Sequence, residues 1–263
     1  MRLVVVGCAG SFPAPEAACS AYLVQASDDE GRLWTLLLDL GNGAVGPLQR
    51  YGSIAEIDAI GLSHLHADHI ADLPALSVAR RYRPSGALPP VPVWGPAGLI
   101  VRLVELAGDD EPEARLDTQF QIHVWHPGQP VTVGPLCVTP VAMNHSVPCC
   151  GVRVTGPAEG DRSRTVTIGY TGDTDSGPGL TAVAQDVDLL LAEAAFQEGR
   201  DDAIRGIHLT ARRAAQAAAS GGARHLVLTH LPAWNDPEAA EAEARSVYAG
   251  LVTMAVPGAR FVL

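Results

Sequence analysis

Short apolar runs, each followed by a polar turn or an amphipathic segment, recur along this chain. The apolar content of buried strands is found at residues 2–6, 21–26, 33–38, 57–62, 89–96, 120–125, 131–141, 164–170, 187–192, 225–229 and 259–263. Helical spacing bounded by proline, glycine or capping residues predicts helices at residues 44–51, 68–82, 98–106, 206–219 and 235–248. Strands alternate with helices but also form hairpin-like pairs, so the pattern favours an α/β fold with two sheets between helices over one parallel sheet.

Length and composition are those of a chain that buries a full core. With 263 residues, of which 47% are hydrophobic and 18% charged, we expect one folded domain over residues 1–263 rather than a disordered polypeptide. An acidic stretch at residues 108–113 interrupts the strand and helix pattern, and we predict that it forms a surface loop.

Charge and cysteine content restrict the binding partners and the cellular compartment that we expect for this protein. The formal net charge of −11 disfavours a long nucleic acid as partner, whereas two bound dications would reverse the sign locally and admit a small anionic substrate. Five cysteines without zinc-ribbon spacing indicate no disulfide framework, which favours a reducing cytoplasm. Residues 2–6 are too short for a signal-peptide core and no apolar run approaches the roughly 18 residues of a membrane span, so neither export nor membrane insertion is expected.

A cluster of histidines and one acid follows the predicted strand at residues 57–62. His64, His66, Asp68 and His69 fall within six positions, and imidazole and carboxylate are the ligands that hold a divalent metal without thiolate. His64 and His66 project to the same side of an extended segment, while Asp68 and His69 stand at the start of a helix. This turn could supply ligands to two adjacent metals, and the alternative is a solvated, histidine-rich loop.

Four strands in the second half end on a polar side chain of the kind that such a site needs. Residues 136–142 lead to His145, residues 164–170 to Asp173, residues 187–192 to Glu193 and residues 225–229 to His230. In an α/β sheet the carboxyl ends of parallel strands line one edge. We therefore expect residues far apart in sequence to converge there with the histidine cluster.

Several side chains near these motifs have a structural and a functional interpretation. Asp39 either caps the helix that follows it or supports a ligand, and the cap is favoured. Arg80 and Arg81 either complement a helix C-terminus, which is favoured, or clamp a phosphate. Trp234 could stack on a base, but packing is favoured for a tryptophan in a loop. We interpret the remaining candidates as ordinary strand-face or small buried residues: His123, His126, Cys149 and Cys150.

The pattern His64-x-His66-x-Asp68-His69, with His145, Asp173 and His230 downstream, resembles the metallo-β-lactamase superfamily. The resemblance covers essentially the whole chain and implies an αββα sandwich with a dinuclear site at one edge. It implies two divalent metal ions, usually zinc, with manganese as an alternative. The implied ligands are His64, His66 and His145 for one ion, Asp68, His69 and His230 for the other, and Asp173 as a bridge between them.

Within that superfamily the chain is similar to the ribonuclease Z branch of phosphodiesterases. Its glycine turn at residues 7–11 and the segments Glu193-Ala194-Ala195-Phe196 and His208-Leu209-Thr210 resemble motifs of that branch, which implies that Glu193 orients His208. The tRNA-processing members have a long glycine- and proline-rich arm between the ligands that match His145 and Asp173. This chain has only residues 146–172 there, 27 positions, and is more similar to short actinobacterial-type members described as cyclic-nucleotide phosphodiesterases.

The resemblance implies a dinuclear-metal hydrolase that cleaves cyclic nucleotides or other small phosphodiesters. In that mechanism Asp68 orients the attacking water, and His208, held by Glu193, protonates the departing oxygen. His208 also has a simpler interpretation as a residue at a helix N-terminus. The alternative functions are a ribonuclease Z-like tRNA 3′-end endonuclease and a metal-binding protein with little hydrolytic activity. A small phosphodiester is the expected partner, and a homodimer is compatible with the sequence.

Overall fold

The computed structural model describes residues 1–108 and 116–263. Apart from Gly108, the predicted surface loop at residues 108–113 lies outside these residues. Two seven-stranded mixed sheets form the centre of the molecule. The strands are β1 (Arg2–Gly7), β2 (Ala21–Ser27), β3 (Leu33–Leu38), β4 (Ala59–Gly61), β5 (Val91–Gly95), β6 (Phe120–Val124), β7 (Val131–Val133), β8 (Leu136–Ala142), β9 (Cys150–Pro157), β10 (Thr165–Tyr170), β11 (Leu189–Glu193), β12 (His225–Thr229), β13 (Leu251–Met254) and β14 (Arg260–Val262).

Helices lie between the strands along the chain. They are α1 (Val45–Leu48), α2 (Ala67–Ile70), α3 (Leu73–Arg81), α4 (Leu99–Ala107), α5 (Pro178–Ala184), α6 (Ala211–Gly221) and α7 (Pro237–Arg245), with one 3-10 turn at Ile54–Glu56. None of the helices in the described ranges has the length and apolar content that crossing a membrane requires.

The two sheets have related strand arrangements. The first has the order β14-β1-β2-β3-β4-β5-β6, with β3 to β6 parallel. The second has the order β13-β12-β11-β10-β9-β8-β7, with β10 to β13 parallel. Strand β8 runs in the same direction as β10, because each of them pairs antiparallel with β9.

Alternating side chains on the strands divide the interior into three apolar layers. In β3, Leu36 and Leu38 point into the core between the sheets, whereas Leu37 points to the outer layer against α1, α3 and α4. In β11, Leu189 and Leu191 face the central core, whereas Leu190 faces the layer against α5, α6 and α7. Successive side chains of a strand point to opposite faces, so both faces of each sheet are buried. The αββα sandwich that the resemblance implies is confirmed.

Two predicted elements are each split in the structure. The helix predicted at residues 68–82 is the pair α2 and α3, because Pro74 lacks an N–H and is tolerated only in the first turn of a helix. The strand predicted at residues 131–141 is the hairpin of β7 and β8. Its turn begins at Gly134, whose φ of +53° suits glycine. The sequence prediction missed strands β9 and β13 and helix α5, and β13 is a run of only four residues.

Candidate metal centre

The carboxyl ends of parallel strands bring the candidate residues of the second half to one edge. His145 follows β8, Asp173 follows β10 and His230 follows β12, while Glu193 is the last residue of β11. On the facing sheet, β4 leads into the turn that carries His64 to His69. The centre therefore lies at the rim of the sandwich, where both sheets end.

One group of potential ligand atoms comes from the first two histidines of the motif and from two residues of the second half of the chain. A nitrogen or oxygen atom from each of His64, His66, His145 and Asp173 lies within 4.8 Å of the others. His66 Nδ1 is 2.9 Å from His64 Nε2 and 3.3 Å from His145 Nε2. His64 Nε2 lies 3.7 Å from Asp173 Oδ2.

A second group shares Asp173 with the first. Ligand atoms of Asp68, His69, Asp173 and His230 also lie within 4.8 Å of one another, and all four residues are buried. His230 Nε2 is 3.0 Å from Asp68 Oδ2 and 3.3 Å from His69 Nε2. His69 Nε2 is 3.2 Å from Asp173 Oδ1. The structure thus brings together all seven side chains that the resemblance implies as ligands.

The chemistry of the two groups fits metal ions. Asp173 Oδ1 is buried without a hydrogen-bond partner, although two imidazoles lie beside it. A buried carboxylate oxygen without a donor is costly, and a cation between the residues would satisfy it. Imidazole nitrogens and carboxylate oxygens suit zinc and related divalent ions. The cluster is therefore able to bind metal ions.

Hydrogen bonds on the far side of three imidazoles direct their other nitrogen into the cluster. His69 Nδ1 donates to Asp39 Oδ2 (2.8 Å), His145 Nδ1 to the carbonyl of Ile207 (2.8 Å), and His64 Nδ1 to Ser63 Oγ (3.1 Å). Each bond engages Nδ1 and leaves Nε2 of the ring facing the cluster. The protein itself therefore orients these three histidines.

Protonation states in the cluster favour cation binding at several positions. Burial lowers the pKa of His64 well below its ordinary value, and the neighbouring imidazoles lower it further. For Asp173, burial opposes ionisation, but His230, His69 and His64 outweigh it and hold the pKa of the carboxyl well below its ordinary value. The opposite balance acts at His69, where burial disfavours the charge but Asp173 and Asp39 raise the pKa. Carboxylates and neutral imidazoles are the forms that ligate metals.

Asp39 supports the candidate ligand His69, and the prediction that it caps the next helix is wrong. Its buried carboxylate accepts hydrogen bonds from Ser63 N (2.7 Å), Ser63 Oγ (2.8 Å) and Tyr170 Oη (2.6 Å), in addition to His69. The start of α1 is instead held by Asp72, whose carboxylate accepts from Gly43 N and Val45 N. Asp39 also has a left-handed φ of +56°, a strain of the kind found at functional sites.

The predicted pair of His208 and Glu193 is present. His208 Nδ1 donates to Glu193 Oε1 at 3.0 Å, and Glu193 in turn accepts from Thr174 N and Ala195 N. Burial alone would lower the pKa of His208, but Glu193 outweighs it and raises the pKa to about 9. Nδ1 lies 3.7 Å from Asp173 Oδ2, so the imidazole stands beside the cluster.

The glycine turn at residues 7–11 packs directly against the cluster. Ser11 N donates to Asp68 Oδ2 at 2.9 Å, with a φ of +64° at Ser11. A Cβ on Gly10 would lie 2.2 Å from the carbonyl oxygen of His230, so only glycine allows this approach. The turn thus holds Asp68 by a hydrogen bond and lies against the backbone of His230, from outside the motif.

Asp175 was missed by the sequence analysis. Its Oδ2 accepts from Arg205 Nε and Gly206 N, both at 2.8 Å, and the next carbonyl along the chain, that of Ile207, holds His145. The only signal in the sequence is its position two residues after Asp173, which does not indicate which loop it would fasten. Asp175 anchors the segment between Glu193 and His208.

The other candidates have mostly structural roles. Arg80 is buried and donates to the carbonyls of Ile54 and Pro89, so it holds the end of α3 against neighbouring loops. The Cys149 thiol donates to the carbonyl of Asp173, and burial raises its pKa. His123 and His126 lie outside the metal-binding groups found among the described residues. Trp234 contacts Phe12 but remains 64% exposed, so the packing interpretation does not account for it.

Comparison with known proteins identifies the family of this chain. Residues 34–231 match the family described as Beta-lactamase superfamily domain. The chain is 34% identical to an uncharacterized protein of Mycobacterium leprae, over 99% of this chain and 88% of that protein. It is 28% identical to the ribonuclease Z of Myxococcus xanthus, over 98% of this chain and 96% of that enzyme.

A solved structure gives the same result. The chain is 32% identical to the probable metallo-hydrolase YhfI of Bacillus subtilis, over 98% of each protein. The crystal structure of YhfI, a metallo-β-lactamase fold protein, matches with a TM-score of 0.82 and 30% identity over 99% of this chain and 98% of that one. With two histidine and carboxylate groups at the rim of an αββα sandwich, the chain belongs to the metallo-β-lactamase superfamily.

Proposed function

We propose that this protein is a dinuclear-metal hydrolase that cleaves phosphodiester bonds, with cyclic nucleotides or other small phosphodiesters as substrates. The observation that carries the proposal is the hydrogen-bonded pair of His208 and Glu193 beside the cluster. These two residues form a further candidate group with His230, but neither of them is among the seven proposed ligands. A proton donor in that place suits a leaving group that departs as an alkoxide, as in a phosphodiester. The ribonuclease Z among the relatives supports this reaction class.

The metal-binding groups supply the proposed ligands. His64, His66 and His145 would hold one ion, Asp68, His69 and His230 would hold the other, and Asp173 would be shared. Zinc is the proposed metal and manganese the alternative, because both accept nitrogen and oxygen ligands. When bound, two such ions supply Lewis acidity towards phosphate oxygens and a water that ionises near neutral pH.

Side chains of the protein position the water and supply the proton. Asp68 Oδ2 accepts a hydrogen bond from Ser11 N at 2.9 Å, which fixes the carboxylate, and the carboxylate orients the attacking water. His208 has its Nδ1 engaged by Glu193, so Nε2 is left to protonate the departing oxygen. The side chain of His208 is 14% exposed, which limits access of bulk water to this proton.

A tRNA 3′-end endonuclease is the second candidate, because the Myxococcus xanthus ribonuclease Z matches 98% of this chain. Residues 146–172 contain strands β9 and β10, which pair as an antiparallel hairpin inside the sheet. This segment therefore offers no arm of the kind that the tRNA-processing members have. A metal-binding protein with little hydrolytic activity is the third candidate.

One set of preparations distinguishes the three candidates. The protein is loaded with zinc or with manganese, its metal content is measured, and turnover is compared for bis(p-nitrophenyl) phosphate, cyclic AMP and a precursor tRNA. The proposal expects hydrolysis of the first two and little of the third. Efficient processing of the tRNA would favour the endonuclease, and a fully loaded protein without turnover would favour the metal-binding role.

A further inference from the structure

A small cavity of about 260 Å³ lies beside His208. It is lined by Ser11 of the glycine turn, by Phe196 and Arg200 of the segment after β11, and by Trp234 of the loop after β12. Pockets for drug-sized ligands measure about 300–1,000 Å³. The cavity therefore has room for one ring system, with the rest of a substrate extending over the metal centre.

Trp234, which lines the cavity, contacts a second aromatic side chain, Phe12. Trp234 is 64% exposed and Phe12 is 36% exposed, and their ring centroids are 4.9 Å apart at an interplanar angle of 35°. They come from loops more than two hundred positions apart in the sequence. Contact with Phe12 restrains the indole, yet most of its surface stays accessible, so Trp234 is preorganised to accept another flat ring.

The charged side chains of the cavity neutralise each other. Arg200 donates to Asp201 through Nε at 3.0 Å and through Nη2 at 2.7 Å. Its guanidinium is therefore already engaged and does not offer a free charge for a second phosphate. Aromatic walls with a neutralised ion pair suit an uncharged flat ring.

His208 connects the cavity to the reaction. Its imidazole lines the cavity, and Phe196 packs against it edge-on, with ring centroids 5.0 Å apart. The oxygen that His208 protonates belongs to the leaving group. A ring held in this cavity is therefore attached to the sugar that carries the departing oxygen.

Building on the phosphodiesterase function proposed above, we propose that this cavity is a nucleobase subsite in which the base of a nucleoside phosphodiester stacks on Trp234. Trp234 contacts the base, and Phe12 is a positioning residue that holds the indole. The substrates are thereby narrowed from small phosphodiesters in general to those with a purine or pyrimidine on the leaving sugar.

The first test compares two substrates that differ only in the base. Cyclic AMP is compared with the 3′,5′-cyclic phosphate of methyl riboside, which has a methoxy group in place of adenine. We expect the wild type to prefer cyclic AMP, and Trp234→Ala to lower that preference in kcat/KM by about 5- to 140-fold, mainly through KM. Trp234→Phe should restore part of the preference, because phenylalanine also stacks.

The matched control is Tyr82→Ala. Tyr82 is an aromatic residue with almost the same exposure as Trp234, 65%, but it lies at the end of α3 outside the cavity. This variant should keep the preference of the wild type for cyclic AMP. A loss of preference in both variants would indicate a general effect of removing a surface aromatic and would overturn the assignment to Trp234.

The second test measures binding without turnover. Isothermal titration of the metal-loaded protein compares AMP with ribose 5-phosphate, and we expect tighter binding of AMP in the wild type but not in Trp234→Ala. Equal binding of both ligands by the wild type, or a preference that survives in Trp234→Ala, would overturn the subsite. If Trp234-dependent binding is found but neither cyclic phosphate is hydrolysed, the subsite stands and the phosphodiesterase function fails.

Discussion

The two halves of the chain build the metal centre in different ways. The first half supplies four candidate ligands, His64 to His69, from one turn between β4 and α2. The second half supplies His145, Asp173 and His230 one at a time, each from the end of a different strand. Spacing in the first half is set by neighbouring backbone, whereas in the second half it requires three strands in the correct register.

This difference indicates which substitutions should disturb each half of the site. The turn of the first half depends on the buried carboxylate of Asp39, which bonds to Ser63 Oγ and to His69 Nδ1. The second half depends on tight backbone contacts. At Gly172, for example, φ is +56° and an added Cβ would lie 2.7 Å from Cβ of Ser63. Substitutions in the two halves should therefore fail in different ways.

The largest effect is expected from Asp173, the candidate ligand that both metal-binding groups share. Asp173→Asn removes the carboxylate shared by both metal-binding groups, so bound metal should fall from two ions to one or none. Turnover should fall by at least about 10³-fold, because several kcal/mol of charge stabilisation are lost. Elemental analysis and kcat provide the check. Asp202→Asn, at a side chain 54% exposed, is the control, and two retained ions with normal turnover would contradict the prediction.

The next effect separates proton transfer from metal binding. His208→Ala should lower turnover of cyclic AMP by about 10² to 10⁴ while leaving metal content intact. The loss should be much smaller with bis(p-nitrophenyl) phosphate, because p-nitrophenolate departs without a proton. His225→Ala serves as control, since His225 bonds to Thr253 away from the cluster. Full activity of the metal-loaded His208 variant on both substrates would remove this residue from the mechanism.

A third prediction concerns Asp39, whose carboxylate supports His69 in the first half of the site. Asp39→Asn should lower metal affinity or activity by about 10- to 100-fold, because the hydrogen bond that orients His69 is weakened. Asp72→Asn removes a carboxylate that caps α1 without touching a ligand. This control should lower the free energy of unfolding by about 1 kcal/mol and leave metal affinity unchanged. Equal metal affinity in the two variants would show that Asp39 is only structural.

The smallest effect concerns the loop of the second half. Asp175→Ala leaves Gly206 N and Arg205 without their acceptor, and the free energy of unfolding should fall by about 1–3 kcal/mol. Asp202→Ala, at an exposed neighbour of Arg213, should cost less than about 0.5 kcal/mol. Urea denaturation of the metal-loaded proteins measures both. An equal change in the two variants would mean that Asp175 does not anchor the loop.

Much of the fold could be predicted because local sequence determines it. Short apolar runs such as Leu36–Leu38, bounded by turn residues, are typical of strands buried on both faces. Glycine ends α6 at Gly222 in a left-handed conformation. The split at Pro74 and the turn at Gly134 were also encoded locally. The helical spacing of apolar residues continues across Pro74, and the apolar run continues across Gly134. The sequence pattern alone therefore predicts one element in each place.

The candidate site was predictable to the extent that strand ends converge. His145, Asp173 and His230 follow strands that run in one direction, so they had to meet at one edge. The partners of Asp39 could not be predicted, because Ser63 and Tyr170 reach it from separate strands. The exposure of Trp234 likewise depends on how two distant loops pack.

The hydrogen bond from Tyr170 to Asp39 has a consequence for the whole molecule. Tyr170 ends β10 of one sheet, and Asp39 follows β3 of the other, so a buried bond of 2.6 Å crosses the gap between the sheets. The same carboxylate grips His69. Separation of the sheets would therefore displace the candidate ligand His69. A metal ion bound through His69 would, in turn, stabilise the contact between the sheets.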